Sequence, residues 1–207
     1  NTRIAQVYKN ILLTDRKMTL HTQRITYDVE NGIASYTDSA HIVDGENVLT
    51  SRYGSYYSRS RDLYFKKDVR LTNPRYTLNC DTLRYNTLNS TSYFLGPTNI
   101  RTRSSKMYCE NGWYDTGRQF SYFTGKSFLE TNGQLLTGDT LQYDQRREIG
   151  KGRGHVALTD SSRRLIIKGD IAEHHRLTDS SWVVGRAEMV QFDEHDEEVA
   201  ARMVPNV

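Results

Sequence analysis

The chain has 207 residues, of which 36% are apolar and 26% charged, with a formal net charge of +3 and a mean hydropathy of −0.72. That length holds one domain or two, and so low an apolar share leaves a thin or partly open core. A charge this mild makes no case for nucleic acid, no apolar run approaches the ~20 residues of a membrane helix, and no signal peptide is visible.

In chain order, strand-like runs alternate with polar turns at half of a longer period. Residues 4–13 lead to a turn at Thr14-Asp15-Arg16-Lys17, then 18–29 runs to Glu30-Asn31-Gly32 and 33–43 returns to Asp44-Gly45-Glu46-Asn47. Further runs near 48–58, 62–71, 76–86, 91–103, 106–116, 119–129, 134–144, 149–159, 164–175 and 182–192 give about thirteen strands in an antiparallel meander. No stretch has helical periodicity. The charge run Asp193-Glu194-His195-Asp196-Glu197-Glu198 reads as an acidic tail or linker over 193–207, after a single domain over 1–192.

The long period is a repeat. Leu20, Leu49, Leu78, Met107, Leu136 and Ile167 mark it at spacings of 29, 29, 29, 29 and 31 residues. Two positions on comes a small residue (Thr22, Ser51, Cys80, Cys109, Gly138, Gly169), and seven positions on an aromatic (Tyr27, Tyr56, Tyr85, Tyr114, Tyr143), with His174 closing the series. A fixed period carried through most of a chain signals stacked units that cover one another's apolar faces. Each unit here is a hairpin.

The repeat also says where the strands bend. The marker and the small residue share a face, but the next apolar pair sits five and seven positions on, so side-chain parity slips by one in between. The slip falls on Asp81-Thr82, Glu110-Asn111, Asp139-Thr140 and Asp170-Ile171, while Gly96, Gly125, Gly154 and Gly185 recur in the returning limbs. Both kinks align across the sheet, which predicts a sheet creased along one line into a U-shaped, taco-like β-jellyroll. Position five alternates large and small through Ile25, Gly54, Leu83, Gly112, Leu141 and Ala172, so that layers interdigitate.

Several segments resemble the OstA-like family of LptA-type periplasmic β-jellyroll domains: residues 8–15 (YKNILLTD), 44–54 (DGENVLTSRYG), 68–74 (DVRLTNP), 79–85 (NCDTLRY) and 94–100 (FLGPTNI). The resemblance covers about residues 4–190. It implies a non-catalytic role in lipopolysaccharide transport to the outer membrane, with acyl chains held between two leaves and like domains joined end to end through edge strands. It also implies the periplasm, with a leader already removed from a chain that starts at Asn1. Departures from the pattern are His174 in place of an aromatic, Gly152 where other repeats carry Tyr36, Phe65, Phe94 and Phe123, and the acidic tail.

The creased sheet leaves an interior that must be filled, by lipid or by side chains. Candidate lining residues are Leu20, Ile25, Leu49, Leu78, Leu83, Met107, Trp113, Leu136, Leu141 and Ile167. If they close on one another, the chain is instead a structural scaffold with a packed interior. A lipid carrying phosphates also wants cations at the rim, where Arg59, Arg61, Arg101, Arg103, Lys106, Arg146 and Arg147 are the candidates. Lipid A, or whole lipopolysaccharide, is the expected partner besides like jellyroll domains.

Other chemistry reads weakly. In a meander one limb separates Cys80 from Cys109, placing their Cα atoms ~9.6 Å apart, beyond the ~7 Å reach of a disulfide, so both are expected free and buried. His174 and His175 point to opposite faces and make no metal site. The acid column Asp81, Glu110, Asp139 and Asp170 repeats in register, whereas a polysaccharide-cleaving site needs acids in different roles. No catalytic motif or cofactor site is expected, and the charge density rules against a membrane barrel.

Overall fold

In a computed structural model that describes residues 3–15 and 18–192, every regular element is a β-strand. There are sixteen: β1 (Ile4–Asp15), β2 (Met18–Asp28), β3 (Ile33–Tyr36), β4 (Ala40–Asp44), β5 (Asn47–Ser51), β6 (Tyr53–Tyr57), β7 (Asp62–Asn73), β8 (Tyr76–Asn86), β9 (Thr91–Thr102), β10 (Ser105–Asp115), β11 (Phe120–Thr131), β12 (Gln134–Asp144), β13 (Ile149–Asp160), β14 (Leu165–His175), β15 (Ser180–Val184) and β16 (Glu188–Gln191). All pairings are antiparallel within one sheet. The expected thirteen runs are present as thirteen limbs. Three limbs are each split at the crease, into β3 and β4, β5 and β6, and β15 and β16, which raises the strand count from 13 to 16. The acidic run 193–198 lies outside the described residues.

The crease is a column of bulges. Between β7 and β8 the register passes from Lys66↔Thr82 to Val69↔Cys80, so Lys67 and Asp68 oppose Asp81 alone. The same two-against-one step places Lys9 and Asn10 against Gln23, and Gly154 and His155 against Asp170. One extra residue bends its strand and resets side-chain parity, which is the slip seen in the sequence. The backbone there is left-handed, with φ of 72° and 44° at Gly125 and Lys126, and of 64° and 52° at Lys67 and Asp68. Gly is the residue that adopts this conformation without steric cost. The acid column packs on the glycines: a Cβ on Gly125 would collide with the Glu110 carboxylate, and one on Gly185 with that of Asp170. The exposed ridge is tied across by Arg52–Asp68 at 2.6 Å, His155–Asp139 at 2.8 Å and Arg186–Asp170 at 2.6 Å. The repeated acids therefore brace the bend.

The inward rows on the two sides of the crease pack into one buried cluster that runs from Tyr36 to Ala172. Nearest the bend are small side chains. Cys80 and Cys109 both pair with Thr98 on the limb between them, and both are free and buried, with burial pushing each thiol up to about 12. The next row explains the alternation at position five. Gly112 lies between Phe94 and Phe123, whose rings meet over it with centroids 6.3 Å apart, and a Cβ on Gly112 would stand 2.6 Å from the Tyr122 carbonyl oxygen. Where the sequence has Gly152 in place of an aromatic, Leu141 and the Val156 methyls fill the space, each 3.3–3.4 Å from where a Cβ would be.

Candidate functional site

Two further inward rows line the space between the leaves beyond this packed base. On the first leaf the repeat markers and their partners form an unbroken aliphatic ladder across all thirteen limbs: Leu13, Leu20, Ile42, Leu49, Leu71, Leu78, Ile100, Met107, Leu129, Leu136, Leu158, Ile167 and Met189. On the second leaf Tyr27, Tyr56, Tyr85, Tyr114 and Tyr143 occupy the outgoing limbs, with Ala34, Leu63, Ser92, Ser121 and Gly150 on the returning ones. Cross-strand neighbours in such rows are in side-chain contact.

The candidate lining residues divide by depth. Leu49, Leu78, Leu83, Leu136 and Leu141 are buried, Leu78 and Leu83 each being 3% exposed. Leu20, Ile25 and Met107 pack on that cluster while only partly buried, and Ile167 is half-buried. At the ends the inward residues lose their cover: Val7 is 54% exposed, Leu13 48% and Met189 69%. Nine of the ten candidates thus face one interior.

Trp113 does not. It lies six positions after Met107, between the inward Gly112 and Tyr114, and alternation turns it to the outer face. There it stacks on Tyr122 at 6.1 Å and meets Phe120 at 5.6 Å, in an outer row with Tyr93, Arg84 and Tyr64. Arg84 sits over the Tyr93 ring at 4.7 Å and donates to Asp62 at 2.9 Å.

Nor do the candidate cations form one rim. The turns fall on two lips, one carrying Arg59, Arg61, Arg146 and Arg147 at residues 58–61 and 145–148, the other carrying Arg103 between β9 and β10. Arg101 and Lys106 are register partners within β9 and β10, on the outer face beside the inward Ile100 and Met107, and Lys106 is bound to Glu130 at 3.0 Å. Arg59 donates to the Glu30 carbonyl at 2.8 Å, Arg61 to the Tyr56 hydroxyl at 3.0 Å, and Arg146 to the Gly117 carbonyl. Arg59 and Arg146 thus stitch neighbouring turns together, while Arg61 holds its own hairpin.

The two lips are finished differently. On the lip bearing Arg59 and Arg61, each turn begins after a strand whose last residue often caps it: Asp144 accepts from the Arg146 and Arg147 amides, and Asn86 from those of Leu88 and Asn89. Turn then bonds to turn, with Thr87 N donating to Arg61 O, Thr116 N to Ser90 O, Gln145 N to Gln119 O and Arg176 N to Glu148 O. On the other lip the inward side chains bond among themselves: Asn73 to Asn47 at 2.9 Å, Ser105 to Thr131 at 3.0 Å and Gln134 to Asp160 at 3.0 Å. Burial pushes the Asp160 carboxyl up, but hydrogen bonds from Ser162, Gln134 and the Arg163 amide, with the Arg163 charge, hold it down at about 2.

His174 bonds Ser181 at 2.9 Å while His175 bonds Glu173 at 2.6 Å, so the two rings diverge. Among the described residues no group of three or more His, Cys, Asp or Glu side chains is placed to hold a metal ion. Sequence reasoning missed the small residues facing the tyrosines; fourteen positions after each marker, Ala34, Ser92, Ser121, Gly150 and Ser181 carried that signal.

No curated protein matches this chain. Among solved structures it is similar to LptH from Pseudomonas aeruginosa, described as the LptA homologous periplasmic component of the conserved lipopolysaccharide transport device. The two are 14% identical, the likeness covers 71% of this chain and 95% of that one, and the TM-score is 0.49. Residues 1–81, which run from β1 into β8, match the profile of the OstA-like protein family.

Proposed function

We propose that the chain is a non-catalytic, periplasmic lipid-binding element of lipopolysaccharide transport, which takes acyl chains between its leaves and passes them along the stack. The observation that carries this reading is the aliphatic ladder: thirteen apolar side chains in one row, with Leu13 and Met189 uncovered at its two ends. Each buried CH₂ of an acyl chain contributes ~0.8 kcal/mol, so a few chains along such a row bind firmly. The exposed end rows also suit continuation by a like domain, since edge strands offer unpaired backbone groups and these present apolar side chains as well. The family match over residues 1–81 is in keeping with this reading.

A packed scaffold is the second reading. Its support is the base of the slot, where Val69, Val156, Leu78, Leu83 and Phe94 are 1–3% exposed and leave no room beside the crease. Ligand space lies outward of them, beside half-buried residues such as Met107. Native mass spectrometry with lipid A separates the two: bound lipid that is lost in Met107→Arg, with the melting temperature kept, supports transport. A folded wild-type chain that takes up no lipid A leaves the scaffold.

A further inference from the structure

The tyrosine row closes the outer edge of one leaf with a repeated phenol, at Tyr27, Tyr56, Tyr85, Tyr114 and Tyr143. Ser121 is 5% exposed and Gly150 is buried, with the Tyr143 ring 3.9 Å from where a Gly150 Cβ would stand, so the rings cover their small neighbours. Ring bodies thus form wall and the hydroxyls are left towards the lip. A tyrosine with an apolar body and a wet tip is the side chain that suits a boundary between hydrocarbon and polar groups.

The phenols also differ in what they bond. Tyr56 accepts from Arg61 at 3.0 Å and Tyr114 donates to Gln145 at 3.2 Å. Among the described residues Tyr27, Tyr85 and Tyr143 have no protein partner for their hydroxyls. The facing lip offers the opposite, because Asn47, Asn73, Ser105, Thr131, Gln134 and Asp160 are already bonded to one another. Tyr76 of that lip and Tyr114 are both half-buried against the shared core, and burial first, then the neighbouring Tyr114, raises the Tyr76 phenol.

We infer that the tyrosine row is the part of the slot that reads the polar head of its ligand: the phenols of Tyr27, Tyr85 and Tyr143 donate to phosphate and ester oxygens, and the chains lie inward against the rings and the aliphatic ladder. This rests on the lipid reading above. It makes one lip the reader and leaves the other as a neutral wall. Four limbs separate Tyr27 from Tyr85 and Tyr85 from Tyr143, which sets these donors ~19 Å apart, so that each meets a headgroup of its own.

The test is equilibrium binding of diphosphoryl lipid A and of an uncharged hydrocarbon probe, phenylnaphthylamine, to the wild-type chain and to a variant carrying Tyr27→Phe, Tyr85→Phe and Tyr143→Phe. Each change keeps the ring and removes one donor. Because the three donors stand ~19 Å apart, each bound headgroup loses one hydrogen bond, which is expected to weaken lipid A binding about threefold or more, with the probe unaffected. Thr131→Val on the facing lip is expected to leave both ligands as in the wild type. Undiminished lipid A binding by the triple variant, or an equal loss for the probe, overturns the inference while sparing the slot. A wild-type chain that binds the probe but no lipid A removes the lipopolysaccharide reading itself. Should the triple variant melt early, Tyr85→Phe alone carries the test, with a loss of about threefold expected.

Discussion

The middle of the stack and its two ends are built from the same rows, yet they behave as different materials. From β7 to β14 each limb crosses the crease as one strand, and the side chains on both sides of it meet in a closed cluster. Towards the ends, the limbs of β3 and β4, of β5 and β6, and of β15 and β16 break, while β1 and β2 cross whole. Residues 37–39 leave the ladder between β3 and β4 and carry none of the left-handed residues that mark the crease in β7, β11 and β13. Instead the Thr22 hydroxyl donates to the Asp38 and Ser39 carbonyls at 2.8 and 3.2 Å, and the Tyr36 and Ser51 hydroxyls meet at 2.5 Å. A cleft of about 640 Å³ opens there, bordered by Asn10, His21, His41 and Arg52. A sheet can evidently be bent by a bulge or by an interruption; the interrupted limbs still bury Tyr36, Ala40, Ile42 and Leu49, but they leave a cleft at the bend.

The sharpest way to break this contrast is to place one charge in each region. Leu83→Arg buries a cation among Phe65, Phe94 and Leu78, and is expected to cost about 4 kcal/mol or more, enough to unfold the chain. Leu13→Arg in the end limb has water within reach and is expected to cost less than about 1 kcal/mol. Paired denaturant titrations decide it, and equal losses would mean that the ends are packed as tightly as the middle. A smaller probe is Gly112→Ala, whose Cβ must displace Phe123 or the Tyr122 carbonyl; overpacking of that kind costs ~1–3 kcal/mol. An unchanged melting temperature would show that the two rings are free to part.

The smallest effect sharpens the comparison at the lips. Asp160 has its carboxyl held at about 2 in the fold against 3.8 unperturbed. The depressed value means its contribution is present above pH 3.8 and is lost as pH falls towards 2. Asp160→Asn is expected to remove about 1–2 kcal/mol at neutral pH and to flatten the acid side of the stability profile. A profile that keeps its slope would assign the acid sensitivity to other carboxylates.

Much of this was legible before any coordinates. Period, parity slip and glycine column together give the thirteen limbs and the line of the crease, and the limb between Cys80 and Cys109 keeps their thiols apart. The errors have physical reasons. Trp113 is expected among the lining residues, although position six, between inward positions five and seven, must face out. Arg101 and Lys106 are expected at the rim, but the turn between β9 and β10 is short, and both strands extend up to Thr102 and Ser105 and carry these two residues on the outer face. The broken limbs were hidden for another reason. Thr37-Asp38-Ser39 is polar and strand-compatible, and only the absence of a left-handed pair separates it from Lys67-Asp68, which is no more glycine-rich.

The turn-to-turn hydrogen bonds along the lip of Arg61, Ser90, Gln119 and Glu148 set a rule for insertion. Because each turn must present its carbonyl to the next turn's amide, every turn on that lip has to keep the same length. It does: the last residue of one limb and the first of the next are Asp28 and Ile33, Tyr57 and Asp62, Asn86 and Thr91, Asp115 and Phe120, Asp144 and Ile149, and His175 and Ser180. The two extra residues in the final spacing fall on the other side, where β13 ends at Asp160 and β14 begins at Leu165, against Thr131 and Gln134 one turn earlier. The first border is therefore closed to length change, while the second has taken up two residues and still bonds Ser161 N to the Gly133 carbonyl, so that a graft, a tag or a reporter loop belongs after Ser161 and before Leu165.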